Sequence, residues 1–232
     1  MLEPNIIYED NHVIVVIKPH NIAVQEDESK DPDMLTIIKE FLKKRDNKPG
    51  NVFLGLVHRL DRPTGGVMVF AKTSKAASRL SKELKDKQLK KKYLCVVNGR
   101  PQLAKNRLIT YLKKDEKTNT VKIAPKLEFG SKEAILEYEV LDSKDKYSLI
   151  SVDLITGRSH QIRVQMSQQL NCPIFGDFKY GDKDHGGNLA LWAYELTFTH
   201  PTTKENMRFT VTPDFKNSAF KFFESEIESK IK

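Results

Sequence analysis

Cysteine is scarce in this sequence, and long apolar runs are missing. The 232 residues include two cysteines, Cys95 and Cys172, which form no Cys-x-x-Cys pair. Since disulfide frameworks are built from clustered cysteines in secreted domains, we expect a disulfide-free protein in a reducing compartment, the cytoplasm. No apolar stretch approaches the length needed to cross a bilayer, and the polar, acidic start of the chain does not resemble a signal peptide. We therefore expect no membrane association.

Motifs for metals and for nucleotide phosphates are also missing. The six histidines show no His-Glu-x-x-His spacing, which leaves a zinc site with little support. His58, Arg59 and Asp61 resemble the His-Arg-Asp of protein kinases, but Leu60 interrupts the motif and no Gly-x-Gly-x-x-Gly precedes it. The sequence thus argues against both a zinc enzyme and a kinase.

Positive charge is what the chain has in excess. There are 39 basic and 31 acidic residues, which give a formal net charge of +8, and charged residues make up 30% of the chain. Such a balance favours a polyanionic partner, with nucleic acid ahead of acidic lipid. The alternative that a basic protein binds neither stays open from charge alone.

The pattern of apolar residues predicts more strands than helices. Helices are expected at about residues 34–45, 160–170 and 217–230, and a further helix is expected to begin after Ser74. The expected N-caps are Asp33 for the first of these helices, Ser74 for the helix that follows it and Ser159 for the helix at 160–170. Strands are expected at 13–17, 52–57, 66–72, 93–97, 134–141, 147–154, 189–199 and 207–212, with weak signals near 108–112 and 121–124 in an otherwise irregular stretch, 100–133. Several consecutive strands are close enough to form hairpins. This favours a single α+β domain over residues 1–232, built on a mostly antiparallel sheet flanked by helices and loops.

Residues 58–66 form the most informative stretch. Asp61 lies between Arg59 and Arg62, the pair Gly65-Gly66 follows, and an apolar run begins at Val67. Nearby positive charge favours an ionised carboxylate, and loops that lead into buried strands often carry chemistry. The alternative is a solvated turn with weak surface ion pairs.

Five separate stretches together resemble the RluA-type RNA pseudouridine synthases. They are Ile7–Asp10 leading to Lys18-Pro19, residues 58–66, Lys91–Tyr93 before Gly99, Thr156–Val164 with Pro173–Asp177 and Tyr180-Gly181, and Leu191–Leu196 with His200-Pro201. The resemblance runs from about residue 6 to about residue 213 and follows the family's order. It implies the pseudouridine synthase fold and an isomerase that converts a uridine in RNA to pseudouridine without a metal or organic cofactor. It also implies RNA as the partner, either tRNA or rRNA.

The resemblance implies a role for each matched residue. Asp61 matches the essential aspartate, which acts as a nucleophile or assists departure of the base. Tyr93 matches a tyrosine that stacks on the uracil and exchanges a proton, and Arg163 matches the arginine that pairs with the aspartate. Arg59 is expected to enter the space that the flipped base leaves, and Ile162 to line the base pocket. Further RNA contacts are expected from Arg62, Arg158 and His160.

Three positions depart from the family pattern and leave a rival interpretation open. Gly65 replaces a serine, and Gln165 and Trp192 each replace a histidine. The rival is a catalytically inactive RNA-binding protein that retains the fold, against which the intact Asp61 argues. A third interpretation, a membrane-surface protein anchored by the last helix, is weakened by the acidic residues of that helix.

The target RNA is not encoded in the shared motifs. Target choice is expected in the variable stretches 20–33, 100–133 and 182–188. Because the first strand begins within the first dozen residues, we expect a compact member without the N-terminal RNA-binding domain of many relatives, acting as a monomer. Several compact members act on tRNA, which favours tRNA slightly.

Overall fold

The chain forms two compact units, each built from antiparallel strands and helices. The computed structural model describes residues 3–181, 187–216 and 218–231. Unit 1 comprises Met1–Lys90 and Glu195–Val211, and unit 2 comprises Lys91–Tyr194 and Thr212–Lys232. This content is the α+β class expected from the sequence, whereas a single domain over 1–232 stays a prediction.

Eleven strands and four α-helices are assigned within the described residues. The strands are β1 Asn5–Glu9, β2 Val13–Lys18, β3 Gly55–Leu56, β4 Gly65–Ala71, β5 Lys90–Asn98, β6 Lys105–Asp115, β7 Thr120–Ile123, β8 Lys132–Lys144, β9 Tyr147–Leu154, β10 Leu191–Thr199 and β11 Asn206–Thr210. The helices are α1 Met34–Arg45, α2 Ser74–Lys85, α3 Gln161–Val164 and α4 Glu224–Ile231, with a π-helical turn at Gln165–Gln169 and a 3-10 turn at Ala219–Phe223.

Strand β4 is the core strand of unit 1, and every one of its residues is buried. It pairs with β2 from Val13 opposite Ala71 to Lys18 opposite Gly66. β1 pairs with β2, β3 pairs with β4, and β11 pairs with β10, all antiparallel. This register brings the end of β2 beside the loop that precedes β4, which is the loop containing Asp61.

The two long helices of unit 1 begin at side-chain caps. Asp33 caps α1 as predicted, because its carboxylate accepts a hydrogen bond from the Thr36 N–H at 3.2 Å. The cap of α2 is Thr73 and not Ser74, since the Thr73 hydroxyl accepts from the Ala76 N–H at 3.1 Å. Both residue types cap helices well, so adjacent Thr and Ser leave the start ambiguous by one residue.

Unit 2 is an antiparallel meander in the order β5-β9-β8-β6-β7. The predicted hairpin of β8 and β9 is confirmed. β5 begins at Lys90, three residues before the strand predicted at 93–97. The weak strand signals near 108–112 and 121–124 are confirmed by β6 and β7, and the stretch 100–133 is less irregular than expected because β6 runs from Lys105 to Asp115. In unit 1, the strand predicted at 52–57 is reduced to the two residues of β3.

The 3-10 turn Ala219–Phe223 and α4 pack their apolar side chains into the protein. Phe220, Phe223 and Ile227 are fully buried, and Lys144 donates a hydrogen bond to Glu226 at 2.8 Å. The apolar face that a membrane anchor would need is therefore already covered. No helix among the described residues is long and apolar enough to span a bilayer. Asn217, with which the sequence prediction began this helix, lies outside the described residues.

Candidate active site

The loop before β4 holds Asp61 between buried anchors. His58 and Leu60 are buried, Arg59 is exposed, and Asp61 is half-buried. The ring Nε2 of His58 accepts a hydrogen bond from the Val69 N–H of β4 at 3.3 Å, which attaches the start of the loop to this strand. The Asp61 carbonyl accepts from the Thr64 N–H at 2.9 Å, which closes a turn. The alternation of buried and exposed residues fixes the direction in which each side chain leaves the loop.

Lys18 and His20 attach this loop to the end of β2. The Lys18 ammonium donates to the carbonyls of Pro19 and Arg62, at 2.9 and 3.0 Å. His20 Nδ1 lies 2.7 Å from the Pro63 carbonyl and donates to it. Two side chains therefore hold the carbonyls of residues 62 and 63, which directly follow Asp61, and this constrains the loop at its functional residue.

The side chain of Arg62 is engaged by an acidic loop of unit 1. Its guanidinium pairs with Asp27 at 3.2 Å and with Asp31, and donates to the Ser29 hydroxyl at 2.7 Å. These contacts lower the pKa of the Asp31 carboxyl, mainly through the hydrogen bond from Arg62. The RNA contact predicted for Arg62 stays a prediction, and any phosphate would compete with two carboxylates already bound to it.

Burial makes Lys18 an unusual base. Its side chain is fully buried, and desolvation lowers the pKa of Lys18 to about 7, while the charge of Asp61 acts in the opposite direction and that of Arg62 in the same one. An ammonium that donates to the carbonyl of Arg62, the residue directly after Asp61, is thus close to its pKa at neutral pH.

We expect Lys18 to make the free energy of unfolding rise with pH above about 7. The pKa of Lys18 is about 7 in the folded protein and about 10.4 in an unfolded chain. Between these values the unfolded state binds more protons, so stability increases as pH rises and is lowest below the folded pKa. Guanidinium unfolding followed by circular dichroism at pH 7 and pH 9.5 should show a smaller increase for Lys18→Met than for the parent.

The matched control for this pH effect is Lys75→Met. Lys75 is an exposed lysine of α2 in the same unit. Its replacement should leave the pH-dependent increase unchanged. An identical increase in Lys18→Met and the parent would contradict the buried, titrating ammonium.

In unit 2, Tyr93 and Ile162 are buried side chains on β5 and α3. Tyr93 is 4% exposed and lies opposite Val152 of β9. Ile162 is 5% exposed and precedes Arg163 on the short helix α3. From its type alone each would be a core residue, and the structure gives both the rigid backbone that a base-binding surface needs.

Arg163 is held by a buried carboxylate, Asp177, to which the sequence patterns assign no role. Arg163 Nε and Nη2 donate to the two carboxylate oxygens of Asp177 at 2.8 and 2.7 Å. The two side chains are 7% and 0% exposed. A bidentate, desolvated pair of this kind fixes the plane of the guanidinium. The motif Gly176-Asp177 was the available signal for this residue.

Tyr180 and His160 extend the arrangement around Arg163. The guanidinium carbon of Arg163 lies 5.0 Å from the centre of the Tyr180 ring. The Tyr180 hydroxyl is 2.6 Å from His160 Nδ1 and accepts from the Val121 N–H at 2.9 Å. The predicted RNA-contact residue His160 therefore also supports the ring on which Arg163 stacks.

The turn before α3 differs from the sequence prediction. Ser159 does not cap the helix. The cap position is His160, which has a φ of 52°, and no side chain bonds there. Instead the Gln161 carboxamide oxygen accepts from the Arg158 N–H at 3.0 Å and from the Thr156 hydroxyl at 2.8 Å. The exposed Arg158 side chain donates through Nε to the Glu133 carbonyl at 2.8 Å.

Each unit thus brings together one part of the predicted set. Unit 1 holds Asp61 with Arg59 and Arg62 on one loop. Unit 2 groups the remaining five predicted residues on β5 and on the segment 158–163. No cluster of three or more His, Cys, Asp or Glu side chains suited to a metal occurs in the described part of the chain.

Comparison with known proteins identifies the family. The sequence profile described as RNA pseudouridylate synthase matches residues 12–168 of this chain. The chain belongs to this family. The match contains the loop of Asp61, the strand of Tyr93 and the helix of Arg163, and it confirms the assignment made from the five motifs.

Curated relatives in the family are similar over most of this chain. The ribosomal large subunit pseudouridine synthase C of Buchnera aphidicola is 35% identical over 222 residues, which cover 90% of this chain and 67% of that protein. The synthase C of Haemophilus influenzae is 32% identical, covering 94% and 68%. The ribosomal large subunit pseudouridine synthase D of Neisseria meningitidis is 35% identical, and the matched region spans 88% of this chain but 57% of that longer protein.

Solved structures share the fold. Human RNA pseudouridylate synthase domain containing 4 aligns with a TM-score of 0.77 at 22% identity, over 97% of this chain and 92% of that one. Human RNA pseudouridylate synthase domain containing 1 aligns with a TM-score of 0.73, also at 22% identity. The likeness confirms the predicted α+β pseudouridine synthase fold.

Proposed function

We propose that this chain isomerises a uridine in ribosomal RNA to pseudouridine, with Asp61 as the catalytic carboxylate. The observation that carries the proposal is the loop of Asp61. This half-buried carboxylate matches the family's aspartate, and Lys18 and His20 donate hydrogen bonds to the two backbone carbonyls that directly follow it. A carboxylate on a loop whose backbone is constrained in this way can attack carbon or assist departure of a leaving group with little movement of the backbone.

The reaction redistributes bonds within one nucleotide. The glycosidic bond between ribose and a ring nitrogen breaks, the base rotates, and a ring carbon forms the new bond to ribose. That carbon loses a proton and the nitrogen gains one, so no atom or electron is gained or lost overall. Isomerisation of this kind needs a nucleophile or anion, a proton-transfer group and a surface that holds the detached base.

Unit 2 supplies residues suited to the other roles. Tyr93 stacks on the uracil and exchanges the proton, and Ile162 lines the base pocket. Arg163 matches the arginine that the family resemblance pairs with the catalytic aspartate, and its bidentate contact with Asp177 fixes the plane of its guanidinium. Arg59, exposed on the Asp61 loop, enters the space left by the flipped base. Flipping costs a few kcal/mol, and stacking returns about 1–3 kcal/mol.

Ribosomal RNA is proposed as substrate because the synthases C and D among the relatives are named for the large ribosomal subunit. The net charge of +8 suits any structured RNA, since phosphate contacts are independent of sequence. tRNA, which compact members of the family also modify, is the alternative substrate. We propose that the enzyme acts as a monomer in the cytoplasm.

Pseudouridine mapping of total RNA tests the reaction and the substrate together. RNA from cells with and without this protein is compared position by position, and the missing site is restored by the parent chain. We expect one or a few dependent positions in large-subunit rRNA. Dependent positions confined to tRNA would replace rRNA as the substrate class. No dependent position in any RNA would favour the inactive RNA-binding protein.

A further inference from the structure

Lys91 differs from the other buried cations of this chain. Lys91 is 9% exposed. Lys18 donates to two carbonyls and Arg163 to a carboxylate, as buried charges normally do. No acceptor for the Lys91 ammonium exists among the residues that the structure describes. The largely buried ammonium therefore has no protein acceptor within the part of the chain that the structure describes.

A glycine provides the space in front of this ammonium. A Cβ atom built on Gly157 would lie 3.3 Å from Lys91 Nζ. Gly157 is exposed, so the ammonium faces a part of the surface that carries no side chain. Arg158 follows, and of its side-chain nitrogens only Nε donates a hydrogen bond within the described residues, to the Glu133 carbonyl. Two cationic side chains thus flank a bare turn, which is a suitable site for an anion.

The titration behaviour of Lys91 agrees with this geometry. Burial alone lowers the pKa of Lys91 to about 8, and no neighbouring carboxylate among the described residues raises it. A bound anion would favour the charged form of the lysine, and the missing interaction would then be supplied by the ligand.

The position on β5 indicates which anion this is. Lys91 and Tyr93 are two residues apart on one strand, so they share a face and their Cα atoms are about 7 Å apart. If Tyr93 stacks on the target base, an anion on the same face belongs to the backbone of the same RNA segment. On the basis of the proposed function, which gives Tyr93 this role, we propose that Lys91 and Arg158 bind a backbone phosphodiester adjoining the target uridine.

Salt-dependent RNA binding tests the site without turnover. The full chain carrying Asp61→Asn is titrated with a nine-nucleotide oligouridylate between 50 and 200 mM salt. Each phosphate contact to a single strand contributes about 0.7 to the slope of log K against log salt. Adding Lys91→Met should reduce the slope by about 0.7 and weaken binding at 50 mM salt by about fivefold or more.

Lys146→Met is the matched control. Lys146 is exposed in the same unit, and the β5–β9 register places it beyond Asn98, at the opposite end of the strand from Lys91. Its replacement removes the same charge and should leave the slope unchanged. An equal loss in both variants, or an unchanged slope in Lys91→Met, would overturn the site.

Gly157→Ala provides a second test that keeps the charge. Its Cβ would crowd the Lys91 ammonium, so RNA affinity should fall by about fivefold while the fluorescence of the single tryptophan, Trp192 in unit 2, stays native. Native fluorescence with full affinity would contradict the site even if Lys91→Met did not fold. If mapping finds pseudouridine formation but Lys91 has no effect, this inference alone fails. If no RNA binds, both fail.

Discussion

An Asp61→Asn variant is expected to lose pseudouridine formation by at least about 10⁴-fold while its RNA affinity stays within about threefold of the parent. Asparagine preserves the size of the side chain but removes its charge and its nucleophilic oxygen. The carbonyls around it remain held by Lys18 and His20, so the loop should keep its conformation. RNA affinity depends mainly on phosphate contacts made elsewhere, which this substitution does not touch.

The measurement is single-turnover release of tritium from the C5 position of labelled uridine in the mapped RNA, beside a filter-binding titration. Asp86→Asn is the control, because Asp86 is an exposed carboxylate of the same unit at the end of α2. That variant should retain full turnover. Residual activity of Asp61→Asn above a few per cent would exclude Asp61 as the essential carboxylate.

The second large effect is expected in stability, from Asp177→Ala. The side chain of Asp177 is fully buried, and it is the carboxylate that receives two hydrogen bonds from Arg163. Removing it takes from a buried guanidinium the carboxylate that accepts two of its hydrogen bonds, and breaking a buried pair in this way typically costs about 3–5 kcal/mol. Guanidinium unfolding followed by Trp192 fluorescence measures this directly, since the only tryptophan of the chain is buried in unit 2.

An exposed ion pair of the same unit gives the comparison. Arg107 and Glu137 pair at 3.2 Å with half of each side chain exposed, so Glu137→Ala should cost at most about 1 kcal/mol. Replacing both members of the buried pair, as Arg163→Met with Asp177→Leu, should recover much of the lost stability but no turnover. A loss for Asp177→Ala no larger than that for Glu137→Ala would show that the buried pair contributes little.

The elements that were predictable from the sequence are those determined by local signals. Asp33, directly before an apolar stripe, was sufficient to locate the start of α1, and the short connection after β8 was sufficient for its hairpin with β9. The beginning of β5 was missed because three successive lysines are typical of a solvated helix end. The Lys91 ammonium lies beside Gly157, a residue far along the chain, so its surroundings depend on the tertiary structure.

The residues of the candidate site also differ in whether a local sequence signal predicts them. The loop of Asp61 was identifiable because all its residues are consecutive. The role of Asp177 was not, since its contact with Arg163 spans 14 residues, which run from α3 through the π-helical turn into a loop, and this separation matches no helical or strand period. The engagement of Arg62 by Asp27 and Asp31 likewise depends on how the acidic loop folds back over 31 to 35 residues. Such contacts are properties of the tertiary structure.

Unit 1 is assembled from two segments that are separated by about a hundred residues of unit 2. During synthesis at roughly 5–20 residues per second, the first segment leaves the ribosome some 5–20 s before the hairpin of β10 and β11 that completes it. During that interval we expect the apolar side chains of the first segment that pack against the second segment to stay exposed on the nascent chain. A nascent chain stalled after residue 194 should therefore bind chaperones that release it once residue 211 has emerged.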